Sequence, residues 1–240
     1  MTYAPALHSE WIKIRTLRSL TGALCAIPLT TVGFSALAGA DSEGVDPDPL
    51  FSVFFGVHFG QIAAIAFGTT AVSAEFHGGA LRQTLAAVPD RTRWFAAKAT
   101  AIALPVLAVG LLTGLATLLV GPAALGDTAD RPGWGEGLRG AIGCGLYLTL
   151  MVLLAAALTT VLRSGVASLS VLIPFLLIVS FVVGDMSGTV ADHLPDRAGQ
   201  AVLHTSPDAG LGPWTGLAET ASWTAAALAV GVWRVRRRDA

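Results

Sequence analysis

The chain has 240 residues, 53% of them hydrophobic and only 13% charged, with a mean hydropathy of +0.66 and a formal charge of -1. A soluble domain carries about a quarter charged residues, so this composition excludes an ordinary water-soluble fold and calls for a bilayer to take up the apolar surface. The near-zero charge says little about partners, and no nucleic-acid partner is expected.

In chain order, the first candidate element is an approach helix over residues 9–18, not cleanly amphipathic because Lys13 falls among apolar positions. Five stretches free of Asp, Glu, Lys and Arg follow, at 19–40, 49–74, 99–126, 140–162 and 164–184, each 21 to 28 residues long. About 20 residues cross a ~30 Å hydrocarbon layer as helix, and a charge at its centre costs ~2.5–3.5 kcal/mol, so each stretch reads as a membrane span. A sixth, 213–233, is interrupted only by Glu219. The expected fold is an all-α membrane protein, a bundle of six transmembrane helices at 19–40, 50–73, 98–122, 140–162, 165–184 and 213–233, in one transmembrane domain over 1–240. The stretches are too long and too uniformly apolar for barrel strands. The first is too long for the core of a cleaved signal peptide.

Most connections are short: an acidic turn over 41–49, GDTADRPGWGEG before the fourth span, and Arg163-Ser164-Gly165 between the fourth and fifth. The segment 185–212 is longer, with room for a short helix near 197–203. The segment 73–98 reads SAEFHGGALRQTLAAVPDRTRWFAAK. Over 80–88, residues Ala80, Leu81, Thr84, Leu85 and Val88 share an arc of about 100°, with Arg82, Gln83 and Ala86 opposite. Gly78 and Gly79 break the chain before it, Pro89 ends it, and Asp90 stands where it caps a helix leading into the third span. A short amphipathic helix therefore joins spans two and three, either lying on the bilayer or offered to a soluble partner.

Orientation follows from the basic residues. Twelve of the 15 Lys and Arg fall on one side: Lys13, Arg15, Arg18, Arg82, Arg91, Arg93, Lys98, Arg163 and the terminal Arg234, Arg236, Arg237 and Arg238. Positive residues stay inside, so both termini are expected in the cytoplasm of a multi-pass protein that also contacts membrane lipid. Thirteen Arg against two Lys, with abundant Ala and Gly, fit a GC-rich gene and a bacterial plasma membrane.

Several polar residues carry two readings. Glu75, at the inner end of span two, either braces the amphipathic helix through Arg82 or makes an exposed ion pair worth ~0–1 kcal/mol. Glu219 lies 14 residues from Arg234, about 21 Å of helix, so it sits in the outer half of the membrane or at its edge. It either meets a cationic substrate or reaches the headgroups. His58 and Gln61, one turn apart in span two, either line a path or hydrogen-bond between helices. Pro28, Pro105 and Pro174 are expected to kink their helices. Cys25 and Cys144 fall within spans and read as packing residues. His193 and His204 sit alone in a loop, and no cluster has metal-ligand spacing.

Ser73, Glu75, Phe76, Gly79, Leu81, Arg82, Thr84, Leu85, Ala86, Pro89, Arg91, Arg93 and Lys98 together resemble the permease subunits of type-2 ABC transporters, of the small six-span actinobacterial kind. His77 and Ala80 depart from that pattern, standing where Arg and Thr are usual. SEWIKIRTLRS, LPDRAGQAV, GPWTGLA and WRVRRRDA resemble other parts of the same family in the same order, so the resemblance covers the whole chain. It implies a permease subunit of an ATP-driven exporter that forms a translocation path with a second permease chain, identical or not. It also implies coupling to a separate ABC-type ATPase subunit through Glu75, Leu81, Arg82, Leu85, Pro89 and Arg91, with Glu75 bracing the helix. The chain lacks the G-x-x-x-x-G-K-[ST] phosphate loop, so it is expected to be no enzyme and to hold no cofactor, with ATP and Mg bound by the partner. A non-transporting immunity or sensor subunit is the alternative, ahead of an intramembrane enzyme, for which His58, Gln61 and Glu219 are too sparse.

Overall fold

The structure, a computed structural model, describes residues 3–40, 48–78, 80–87, 90–124, 132–176, 192–205 and 211–237. Among these every regular element is helical. They are α1 (Tyr3–Thr16), α2 (Arg18–Ala40), α3 (Pro49–Phe54), α4 (Val57–Ser73) with a 3-10 turn Ala74–Phe76, α5 (Ala80–Ala87) and α6 (Arg91–Ala124). After these come α7 (Trp134–Leu162), α8 (Gly165–Pro174), α9 (Pro195–Gln200) with a 3-10 turn Ala201–Leu203, and α10 (Pro213–Arg237).

Four helices are long and apolar enough to cross a membrane, over Arg18–Gly39, Val57–Phe76, Arg91–Gly121 and Trp134–Leu162. That is fewer than the six expected. The fifth expected span is described only as α8 and the two residues after it, and 177–184 lie outside the described residues. The sixth is helical over 25 residues, about 37 Å, but Glu219 and the arginines of its last turn dilute its apolar character. Helices also outrun the charge-free stretches. The third begins at Arg91 rather than 98, because the Asp90 carboxylate accepts the amides of Thr92 and Arg93 at 3.0 and 3.1 Å and starts the helix there.

Local signals set the other ends. Asp48 caps α3 through the Phe51 amide, with Pro49 in the first turn where its missing N–H costs nothing. Arg163 closes α7 in the left-handed region at φ 55°, donating its amide to the Thr159 carbonyl at 2.8 Å. Ser164 then caps α8 by accepting the Ala167 amide at 3.3 Å, so two residues reverse the chain.

The α7 helix is the centre of the bundle, buried along its length from Gly137 to Thr160 and packed by α4, α6 and α10. Small residues permit this. A Cβ on Gly68 would lie 2.5 Å from the Val152 carbonyl oxygen, and one on Gly114 would lie 2.9 Å from both the Cα and the carbonyl carbon of Ala141. Backbones meet closely where residues four apart are small, as at Gly110 and Gly114 against Gly145 and Ala141.

Chemically unlike groups collect at the two ends. One end gathers α1, the 3-10 turn after α4, α5, the start of α6 and the end of α10, packed through Ala6, Leu81, Trp94, Phe95, Ala97 and Val235. The other end gathers α3, the start of α7, α9 with its 3-10 turn, and the start of α10, joined by Arg139 to the His204 carbonyl and Thr220 to the Pro195 carbonyl.

Candidate functional site

The first of these ends holds a closed ring of four charges. Glu10 of α1 accepts hydrogen bonds from Lys13 (2.8 Å) and Lys98 (2.6 Å) through different carboxylate oxygens. Both lysines also donate to Glu75 Oε1, at 2.7 and 2.8 Å. The second Glu75 oxygen accepts the Thr84 hydroxyl of α5 at 3.2 Å. Glu10, Glu75 and Lys98 are 1%, 3% and 5% exposed, so three of the four charges are out of solvent. Four segments distant in sequence thereby share one polar centre: α1, the turn ending α4, α5 and α6.

The ring is electrically balanced, and its value is geometric. Removing ions from water costs several kcal/mol each, which pairing offsets only when every partner is in place. Pulling one segment away strands a buried charge, so the four segments are tied in position at this point. Burial works against the Lys13 charge, but hydrogen bonds and attraction from Glu10 and Glu75 outweigh it and raise its pKa above 10.5.

The sequence expectations meet this geometry unevenly. Glu75 was expected to lean on Arg82; its carboxylate oxygens are taken by Lys13, Lys98 and Thr84, while Arg82 is on the exposed side of α5. Leu81 is buried and Leu85 half-buried against the cluster of Trp94 and Phe95. Arg91 donates to the Val235 carbonyl at 3.0 Å, tying the start of α6 to the last turn of α10. Pro89 lies outside the described residues. Glu10 escaped sequence reasoning altogether. The available signal was Lys13, whose place among apolar residues is explained by its turning inward to two carboxylates.

His58 and Gln61 have different surroundings. His58 packs against the rings of Phe51 and Phe55, at centroid distances of 5.4 and 5.8 Å. Gln61 is buried in the chain's own interior, where its Oε1 accepts a hydrogen bond from the Tyr147 hydroxyl and a longer one, 3.4 Å, from Gln200. Gln200 Nε2 also donates to the Tyr147 oxygen at 3.1 Å. The polar α9, which reads as an external loop, is thus wedged among apolar helices with Asp196, Ala198, Gly199 and Gln200 buried. Tyr147→Phe is expected to lower thermal stability by about 1 kcal/mol, read as a shift in unfolding midpoint, since Gln61 keeps only the weaker donor.

His193 and His204 are not solitary. His193 contacts the Glu219 carboxylate at 2.9 Å, and its carbonyl accepts the Trp223 indole N–H at 3.1 Å. His204 contacts Asp48 Oδ2 at 2.8 Å and stacks on Phe51 at 4.4 Å. The other Asp48 oxygen accepts the amide and hydroxyl of Thr205, at 3.0 and 2.9 Å, besides its own capping bond. Burial would raise the Asp48 pKa, but these donors outweigh it and hold it below 3.8. A carboxyl with a depressed folded pKa contributes stability above its unfolded value and loses it as pH falls through the folded one. The clasp is therefore expected to weaken only below about pH 3.8, and Asp48→Asn to cost about 1–2 kcal/mol at neutral pH by thermal melting.

Among the described residues no group of three or more His, Cys, Asp or Glu side chains is placed to hold a metal ion. No protein-family model matches the chain, and no curated protein matches its sequence.

Proposed function

We propose that the chain is the membrane-spanning permease subunit of an ATP-driven exporter. In this reading it crosses a bacterial plasma membrane six times with both termini in the cytoplasm, and forms the translocation path with a second permease chain. A separate ABC-type ATPase binds ATP and Mg, and this chain is neither enzyme nor cofactor carrier. The observation that carries the reading is the buried ring of Glu10, Lys13, Glu75 and Lys98 at the basic end. A soluble motor pushing on a membrane protein needs a surface helix linked firmly to the membrane helices. Here α5 presents Arg82, Gln83 and Ala86 outward while Thr84 joins it to the ring. In the same proposal α5 is the amphipathic helix that takes the push. Glu75, Leu81, Leu85, Pro89 and Arg91 transmit it, and Glu219 faces the outer side.

The reading is tested by reconstituting the chain in vesicles with its proposed ATPase partner. Arg82→Glu is expected to uncouple ATP hydrolysis from substrate movement at least tenfold while leaving membrane insertion intact. Undisturbed coupling in that variant removes α5 as the contact, and no movement by the wild-type pair favours an immunity or sensor role.

A further inference from the structure

A groove lies where α1 meets α6. Tyr3 donates its hydroxyl to Thr100 Oγ1 at 2.7 Å, and Glu10 accepts Lys98 at 2.6 Å. Those contacts are seven residues apart on α1, about 10 Å of helix, but only two apart on α6, about 3 Å. The short helix therefore lies across the long one rather than along it. Beyond the crossing, toward the apolar stretch of α6, the two helices leave an open groove of about 460 Å³. That volume falls within the ~300–1,000 Å³ common for small-molecule sites.

Its walls are one face of each helix. Ala4, Leu7 and Trp11 line it from α1, and Leu104, Pro105 and Ala108 from α6. Leu104 is 53% exposed and Trp11 37%, so this apolar surface stands uncovered among the described residues. The opposite face of α1 carries the buried Ala6, Glu10 and Ile14, with Glu10 and Lys13 committed to the charged ring. A short helix lying across a span, with an apolar face open beside it, has the arrangement of an interfacial helix.

The charge on this face is positive. Arg15 follows Trp11 by one turn on the same side of α1, and His8 is the ionisable residue among those lining the groove. Both are exposed, and among the described residues neither makes a hydrogen bond or an ion pair. Glu10 offers no compensation, because both its oxygens are taken by lysines on the far side. An apolar trough that ends at an unpaired guanidinium complements a molecule with a long apolar chain and an anionic head. Because α6 is long and apolar enough to cross a membrane, a bilayer supplies that molecule.

We propose that the groove between α1 and α6 holds one anionic phospholipid, with an acyl chain against Leu104, Pro105 and Ala108 and its phosphate paired with Arg15. Trp11 borders the chain, and its indole lies at the level where such rings anchor helices to a membrane boundary. The assignment needs insertion in a bilayer but no ATPase, so it stands apart from the exporter reading. Its consequence is that α1, which carries Glu10 and Lys13 into the ring, is seated by lipid as well as by charge.

The test uses the full chain purified in a neutral detergent, with phospholipids whose acyl chains carry bromine, a contact quencher of tryptophan fluorescence. Brominated phosphatidylglycerol is expected to quench a component of the emission that is missing from Trp11→Phe. It is expected to do so at about fivefold lower concentration than brominated phosphatidylcholine, the weight of one basic residue beside an anionic headgroup. Arg15→Gln is expected to remove that preference. Ala108→Phe fills the groove from an exposed position and is expected to abolish the Trp11 component of quenching by both lipids. Circular dichroism shows which variants are folded, and Ala4→Phe, also at an exposed position, replaces Ala108→Phe if that variant is not. Identical quenching with and without Trp11, equal responses to the two lipids, or a preference that survives Arg15→Gln overturns the proposal. So does Trp11 quenching unchanged by a folded groove-filling variant. A dimer in detergent that the groove-filling variant dissociates also overturns it, and assigns the groove to a second copy of this chain.

Discussion

Glu75→Ala is expected to destabilise the protein by about 3–5 kcal/mol, the largest effect of any single substitution considered, because it leaves Lys98 buried with half its pairing gone. Lys98→Ala is expected to cost a similar amount, since Glu10 and Glu75 then face each other across a dry site with only Lys13 between them. Lys13→Ala is expected to cost about 1 kcal/mol or less, because its side chain is 35% exposed and water screens the loss. Unfolding midpoints in detergent give the three values, and their order is the informative result. A ring that acts as a register also predicts strong coupling between Glu75 and Lys98 in a double-mutant cycle, whereas Lys13 and Glu75 couple weakly. Equal costs for all three substitutions would mean that the ring is solvated and ties nothing together.

Gly114→Val is expected to have the second-largest effect, about 1–3 kcal/mol at least, for a different reason. Even the first carbon of a side chain at that position meets the Ala141 backbone, which cannot rotate away as a side chain does. The α6 and α7 helices must therefore separate, and their packing is the main helix contact of the bundle. Gly33→Ala is the matched control. Nothing lies within 4 Å of a Cβ there, so the change is expected to be neutral or to stabilise by up to ~1 kcal/mol through helix propensity. Opposite signs for the two substitutions, measured in the same thermal assay, separate helix packing from glycine content in general.

Much of this fold was legible because its controlling costs are local. Charge in a bilayer is expensive, and the positions of Arg18, Glu75, Lys98, Arg139 and Arg163 therefore bracket the apolar parts of the helices without reference to the rest of the chain, although α6 and α7 begin before Lys98 and Arg139. Gly78, with φ 63°, and Asp90, with its two capping bonds, likewise mark the approach to α5 and the start of α6 by short-range chemistry. The site was less legible because its partners are remote. Glu75 meets Lys13 from 62 residues away, and Glu10 meets Lys98 across 88. No spacing rule reaches so far, and the nearer Arg82 was the natural guess. The same distance hid the partners of His193 and His204, which are Glu219 and Asp48. The short helix expected near 197–203 is present as α9 and its 3-10 turn, but its burial was not legible, because it depends on the distant Gln61 and Tyr147 supplying polar partners inside the bundle. One readable signal went unused: Gly110 and Gly114, and Ala141 and Gly145, are small residues four apart on two apolar helices, the pattern by which such helices approach closely.

The most direct test of the proposed role is ATP hydrolysis by the complex isolated from its native membrane on a tagged full-length chain. Mg-dependent hydrolysis is expected to co-purify with the wild-type chain. A folded wild-type chain that brings no ATPase activity with it would contradict the proposed role.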